Sequence, residues 1–395
     1  MDMRHGSKRH ALLLSIGAVL AMGGTSLVSA SAAPILIGAT SSKTGPFSAE
    51  AGENLKGEML AVKQANANGG WLGRKLQLKV YDDESKPGTA VRLYTRLITQ
   101  DRADLLVGPY SSAIGQAVAP LFNKYHYAVI QPEASAPSIF EAGNKWNFQG
   151  ISSSLQYLDK LLPEAKQNGA KTVAVLALKS AFSLACYHAR MDQAKKLGMR
   201  IVYSTSYSLQ GADYDSMALA IKNAHPDVVI GCTYYPDAVG IVQALHAQGY
   251  APKYLAETVG PTSTAYVKAL GQLANRVVSN TGWWASYKTP GNDKFVAAYK
   301  KAYNAVPTYH AASGYSAVQV LGKAVQATKS VDQLKLQQWL FHHTVNTVAG
   351  VFKVDNNGAS LGYEQQLVQI QDKKLQLLTP PKIAESKLQA PYTGN

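Results

Sequence analysis

Residues Leu105–Pro120 read LLVGPYSSAIGQAVAP. An apolar run typical of a buried strand passes through Gly108 and Pro109 into two hydroxyls, then into small apolar residues at helical spacing. A strand that turns straight into a helix is half of a β-α-β unit, and Ser111 and Ser112 stand at the junction. Serine there has two uses. It caps a helix by accepting a hydrogen bond from the first free backbone N–H groups. Those same N–H groups, with the positive end of the helix dipole, seat anions. On its own the stretch reads first as a cap.

The unit recurs on both sides. Strands are predicted at ILIGAT (35–40), LQLKVYDD (76–83), ADLLVG (103–108) and HYAVIQP (126–132), with helices over 49–67, 89–100 and 113–125. The cycle restarts at TVAVLAL (172–178), RIVYSTSYS (200–208), PDVVIGCT (226–233), KYLAET (253–258) and RVVSNTGWW (276–284). Helices follow the first three of these strands, the first ending at Gly198, the next over 213–224 and 237–248. Such alternation implies mostly parallel sheets with covering helices, and its uneven spacing excludes a solenoid. Helices over 293–304, 311–327 and 334–343 lead to a hairpin expected to turn at DNNG (Asp355–Gly358). Beyond Pro380 the polar, Pro-containing sequence reads as a loosely attached tail.

The chain has 395 residues, more than one ordinary core holds, so two domains are expected; 46% are hydrophobic and 16% charged, the balance of a compact fold. Residues 1–32 read as a cleavable export leader: Arg4, Lys8 and Arg9, then ALLLSIGAVLAMGG, then a cleavage site at Ala30-Ser31-Ala32. The apolar run is short for a membrane anchor, no cysteine follows it to carry a lipid, and no later segment would span a bilayer. The leader carries a net +2, so the formal +14 of the whole chain becomes +12 after removal. The basic residues stand singly or in pairs, as in GRK, AKK and DKK, which suits a solvated surface better than nucleic acid.

Cys186 and Cys232, 46 apart, give no disulfide framework, although export would permit a bond. Neither has metal-ligand spacing, and the histidines of FHH (Phe341–His343) point different ways on a helix, so no metal is expected. No nucleotide, zincin, hydrolase or calcium-loop motif occurs, and the carboxylates Asp82-Asp83-Glu84 are tied to no nucleophile. Missing motifs do not exclude an enzyme, but two α/β units behind an export leader have an economical non-catalytic explanation, so no enzyme and no cofactor are expected.

In order and with matching gaps from about Ile35 to Leu378, the chain resembles the periplasmic solute-binding proteins of ABC importers, of the leucine/isoleucine/valine-binding type. The resemblance rests on TGPFSAEAGENLKGEMLAVKQANANGGWLGRKLQLKVYDDESKPGTA, the opening stretch, QPEASAPSIF, HPDVVIGCTYYPDAVGIVQALHAQGY and YSAVQVLGKAV together. It implies an α/β fold of two doubly wound parallel-sheet lobes joined by a three-segment hinge. Lobe 1 would comprise 33–152 and 283–347, and lobe 2 would comprise 153–282 and 348–379. It further implies a periplasmic monomer that closes on a small amino acid or related carboxylate or amide and delivers it to a permease in the inner membrane. A soluble ligand sensor of the same fold, or a receptor for aromatic or aliphatic acids, is the alternative.

Carried over residue by residue, the family's carboxylate-binding hydroxyl falls on Ser112, which could both cap the helix and seat the ligand. A second hydroxyl falls on Ser135 and a carbonyl on Glu133. The lobe-2 aromatics fall on Tyr234 and on Phe182, which lacks the hydroxyl. The acid that meets a ligand ammonium falls on Thr258, with Glu257 one residue out of register, and a lobe-1 aromatic falls on Glu50. Glu50, Glu133 and Glu257 are then candidate partners for an ammonium, and Phe47 or Trp283 candidate enclosing rings. These departures leave the ligand's identity open.

Overall fold

The computed structural model describes Met3 and Ala33–Gly394. The expected leader lies outside the described residues apart from Met3. Among the described residues no helix is long and apolar enough to cross a membrane.

The chain builds two sheets and passes between them three times. In the first passage β1 (Ile35–Ser41), β2 (Leu76–Asp82), β3 (Leu105–Leu106), β4 (Val129–Gln131) and β5 (Asn147–Gln149) alternate with α1 (Ser48–Ala67), α2 (Pro87–Thr99) and α3 (Ser112–Tyr125). β1 pairs in parallel with β2 and β3, β4 with β5, and a bridge at Val107 and Ile130 joins the two groups. The strand order is therefore 2-1-3-4-5. Val107 extends β3 by one residue on both edges, its N–H donating to Gly38 O of β1 while it bridges Ile130 of β4.

The second passage repeats this order. α4 (Leu161–Gln167) precedes β6 (Thr172–Leu178), α5 (Ala181–Lys196), β7 (Arg200–Tyr207), α6 (Tyr214–Ala224), β8 (Val228–Cys232), α7 (Tyr235–Ala247), β9 (Tyr254–Glu257), α8 (Thr264–Leu270) and β10 (Val278–Thr281). The central strands are buried on both faces, as their unbroken Val, Ile and Ala runs require.

The third passage adds α9 (Asn292–Tyr303), α10 (Tyr309–Thr328), α11 (Gln333–His342) and the short hairpin β11 (Val345–Thr347) and β12 (Gly350–Phe352) to the first half. The fourth returns β13 (Gln366–Gln371) and β14 (Lys374–Leu377) antiparallel to the edge of the second sheet. Its strand order is β14-β13-β10-β9-β8-β6-β7. The same 2-1-3-4-5 core thus appears twice, the arrangement expected from the doubly wound pattern.

Three expectations need correction. Residues 348–363 stay with the first half, since Val348, Phe352, Val354 and Tyr363 pack in its core and Gln149 N donates to Gly358 O; the last crossing comes at Glu364–Gln365 rather than at 348. DNNG does turn, but it closes only the isolated bridge Val354–Ser360, while the long hairpin turns at Asp372 and Lys373, both at positive φ.

The residues after Pro380 are not loose. Gln369 and Gln371, buried on β13, donate to Gln389 O and Lys387 O, and the buried Tyr392 donates to Leu273 O at 2.6 Å. Amides buried in a strand need partners, and the tail's backbone supplies them without any periodic sequence.

The halves are closed on each other. One apolar cluster runs from Leu97, Val118 and Phe122 of the first into Val173 and Ile230 of the second. Cys186 on α5 and Cys232 at the end of β8 form a disulfide inside the second half, settling what their spacing left open.

Candidate functional site

In a 2-1-3-4-5 sheet the connections diverge between the first and third strands, leaving a crevice beyond their carboxyl ends. The first half's crevice is bounded by the starts of α1 and α3, the second half's by the starts of α5 and α7. In the closed molecule the two crevices face each other. Phe47, before α1, lies 4.7 Å from the ring of Tyr234, before α7, and Phe182 of α5 lies 5.3 Å from Tyr234.

Between them is a cavity lined by Tyr110, Glu133, Ser135 and Tyr309 from the first half and by Tyr157, Phe182, Tyr234 and Val259 from the second. Its volume in the closed form is about 10 Å³, at the lower limit for a single water. The rings of the two walls fill the rest, leaving no room for more than one water while the halves are together.

The first wall is polar. Ser111, at φ +76°, is the N-cap of α3, its Oγ accepting from Ile114 N. Ser112 is not the cap. Its Oγ accepts from Ser135 N at 2.9 Å and Ala136 N at 3.1 Å, which pins the loop after β4. With both lone pairs engaged, its hydroxyl hydrogen is the part left to donate.

Glu133 is buried, and its Oε2 lies 3.2 Å from His310 Nδ1 on α10. Its Oε1 accepts from Ser313 Oγ and from Asn54 Nδ2. Burial opposes charge on His310, but Glu133 and, less, Glu50 outweigh it and raise the imidazole above its ordinary range. Glu50 is fully buried and neither carboxylate oxygen has a hydrogen-bond partner among the described residues. Burial pushes its carboxyl up to about 7, against the pull of His310.

The second wall is aromatic. Tyr157 meets Phe182 edge to face at 5.0 Å. The hydroxyl of Tyr234 is buried without a partner among the described residues, while its backbone N–H donates to Asp237 Oδ1 at the start of α7. Burial raises the Asp237 carboxyl to about 7 despite hydrogen bonds from Tyr207 and the Tyr234 backbone.

Of the residues singled out from sequence, Ser135, Glu133, Tyr234 and Phe182 therefore line one cavity. Ser112 stands one bond behind Ser135, and Glu50 lies beneath the same wall. Thr258 and Glu257 do not reach it. Thr258 Oγ1 donates to Thr233 O and accepts from Thr233 N, tying β8 to β9, and Glu257 accepts from Thr233 Oγ1 within the second half. Trp283 lies elsewhere, with its Nε1 on Asn292 Oδ1.

Sequence reasoning missed Tyr110, Tyr157, Val259, Tyr309 and His310. Tyr110 sits inside the opening stretch, beside the two serines, and was passed over for the hydroxyls that follow it. His310 starts a helix of small residues, where a lone imidazole gives no sign of its partner 177 positions earlier.

A periplasmic binding protein family matches residues 34–374. The chain is 25% identical over 403 residues to a Leu/Ile/Val-binding protein homolog of Brucella melitensis, covering 97% of this chain and all of that one. A leucine binding protein from Thermotoga maritima superposes with a TM-score of 0.81 at 20% identity, covering 87% of this chain and 98% of that one. A solute binding protein of an ABC transporter from R. palustris, in complex with benzoate, superposes with a TM-score of 0.78 at 20% identity, covering 87% and 95%.

Proposed function

Since the chain belongs to the periplasmic binding protein family, we propose that it is the periplasmic solute receptor of an ABC importer, closing on a small acid or amide with an apolar body and handing it to a membrane permease. The observation that carries this reading is the meeting of the two crevices, which makes one cavity from a polar wall and an aromatic wall. Ser112 and Ser135 offer hydroxyls to a carboxylate or carbonyl; Glu133 and Glu50 offer acceptors to an ammonium or amide. Phe182, Tyr157 and Tyr234 cover the apolar part. An amino acid uses all of these groups, and an aromatic acid uses the serines and the rings. One chain supplies both walls, which supports a receptor that works as a monomer.

Closure follows from the same division. A solute touching both walls makes contacts in the closed form that the open form lacks, and the equilibrium shifts by that difference. Titration calorimetry of the mature protein with leucine, isoleucine and benzoate, beside native mass spectrometry of protein as purified, tests the reading. One solute bound per chain and recovered unchanged supports it. Chemical turnover of the solute sinks it, as does failure to bind any small acid, amide or amino acid across a broad panel. Phe182→Ala removes one ring of the cover and should weaken binding roughly tenfold or more.

A further inference from the structure

On the far side of Tyr309 from the cleft cavity lies a second, larger chamber of about 430 Å³. Trp283 and Trp284, on the crossing after β10, form one side, and Val306 and Tyr309, leading into α10, form another. Lys374 and Leu375 of β14 close it from the second half. Its volume falls in the range of sites for small organic ligands, roughly 300–1,000 Å³.

The polar atoms of these walls are nearly all engaged. The indole N–H groups donate to Asn292 and to Glu385 of the tail. The threonine hydroxyls around them donate to Val259 O, Trp283 O and Glu53 Oε2. Lys374 is the one charged residue among the described residues lining the chamber, and it enters none of the ion pairs formed among them. Two indoles, a phenol and aliphatic side chains with a single cation at the rim suit a flat apolar body carrying one negative charge.

We propose that this chamber is a second ligand seat, for an aromatic monocarboxylate, separate from the solute cavity whatever class of solute that cavity takes. Its walls come from both halves and from a crossing between them, and Tyr309 is shared with the cleft. Occupancy is therefore coupled to closure, and a ligand in either seat changes the affinity of the other by the same factor.

The probe is 1-naphthoate, titrated by calorimetry into the mature protein and four variants. Lys374→Glu should weaken binding about fivefold and Lys374→Arg should retain it. Val306→Trp, at a residue 54% exposed, fills the mouth and should abolish binding with unchanged thermal unfolding. Phe182→Ala, in the cleft wall, should leave naphthoate bound. Loss in Phe182→Ala with retention in Val306→Trp places the naphthoate in the cleft; it overturns the chamber and leaves the solute reading standing. Absence of binding to the unsubstituted protein at millimolar naphthoate also overturns the chamber, and calorimetry with leucine and benzoate then judges the solute reading by itself.

Discussion

The two crevices share one strand order and differ in almost every side chain they present. At the first, α3 begins with a serine cap and a serine that pins the next loop, above Glu133, His310 and a Glu50 with no hydrogen-bond partner among the described residues. At the second, α7 begins with a tyrosine whose backbone N–H donates to Asp237, beside Phe182 and Tyr157, with a disulfide behind. Topology decides where a ligand can sit, and side chains decide what each wall contributes. One wall holds buried polar groups in register for a ligand's head, and the other closes rings over its body.

The contrast is broken most severely at the first wall. His310→Ala leaves the Glu133 carboxylate buried without its cation, and should lower stability by about 3–5 kcal/mol in urea denaturation. A loss below about 1 kcal/mol would refute the ion pair between His310 and Glu133. The matching cut at the second wall is Cys186→Ser with Cys232→Ser. Freeing a loop of 46 residues should cost about 2–4 kcal/mol. The bond lies within one half, so solute affinity should not change; a protein that folds but no longer binds would refute that separation.

Proton linkage sharpens the comparison next. Glu50 rises from 4.5 to about 7 in the folded protein, so it binds protons more readily folded than unfolded. Its contribution is complete below about pH 4.5 and is lost as pH rises through about 7, a change of roughly 3 kcal/mol at most. Asp237 shifts the same way. Denaturation midpoints should therefore fall between pH 5 and pH 8. Glu50→Gln should be the more stable protein at pH 8 and close to parity at pH 5. Equal midpoints for both proteins at pH 8 would show that Glu50 is not held away from water.

The smallest effects separate the two serines. Ser111→Ala removes a cap and should cost about 1 kcal/mol. Ser112→Ala strands two buried amides, those of Ser135 and Ala136, and should cost about 1–3 kcal/mol and weaken solute binding as well. Reversed magnitudes would restore the reading of Ser112 as the cap.

Element type and order were legible because buried parallel strands are apolar without interruption, as TVAVLAL is, and because α3, α5 and α6 start at Ser or Asp caps. What escaped was whatever depends on partners distant in sequence. Glu133 needs His310, and no local pattern connects them. Thr258 falls on a family position but spends its hydroxyl joining β8 to β9. The tail reads as coil because its contacts are backbone groups meeting glutamines of β13. Phe182 and Tyr234 were legible only through the family resemblance, which their places shortly after the ends of β6 and β8 then accommodate.

The anchoring of the chain's two described ends carries a practical consequence. Ala33 O accepts from Arg74 Nε in the first half, and Gly394 O meets His246 Nδ1 near the last turn of α7 in the second. The other end of α7 is Tyr234, so a dye or fluorescent domain attached after Gly394 rides on the rod that carries a cleft ring, about 20 Å from it along the axis. A second fluorophore placed at Ala33 rides on the opposite half. Energy transfer between the two would then report opening and closing directly, turning the mature protein into an optical sensor with no change to either wall of the cleft.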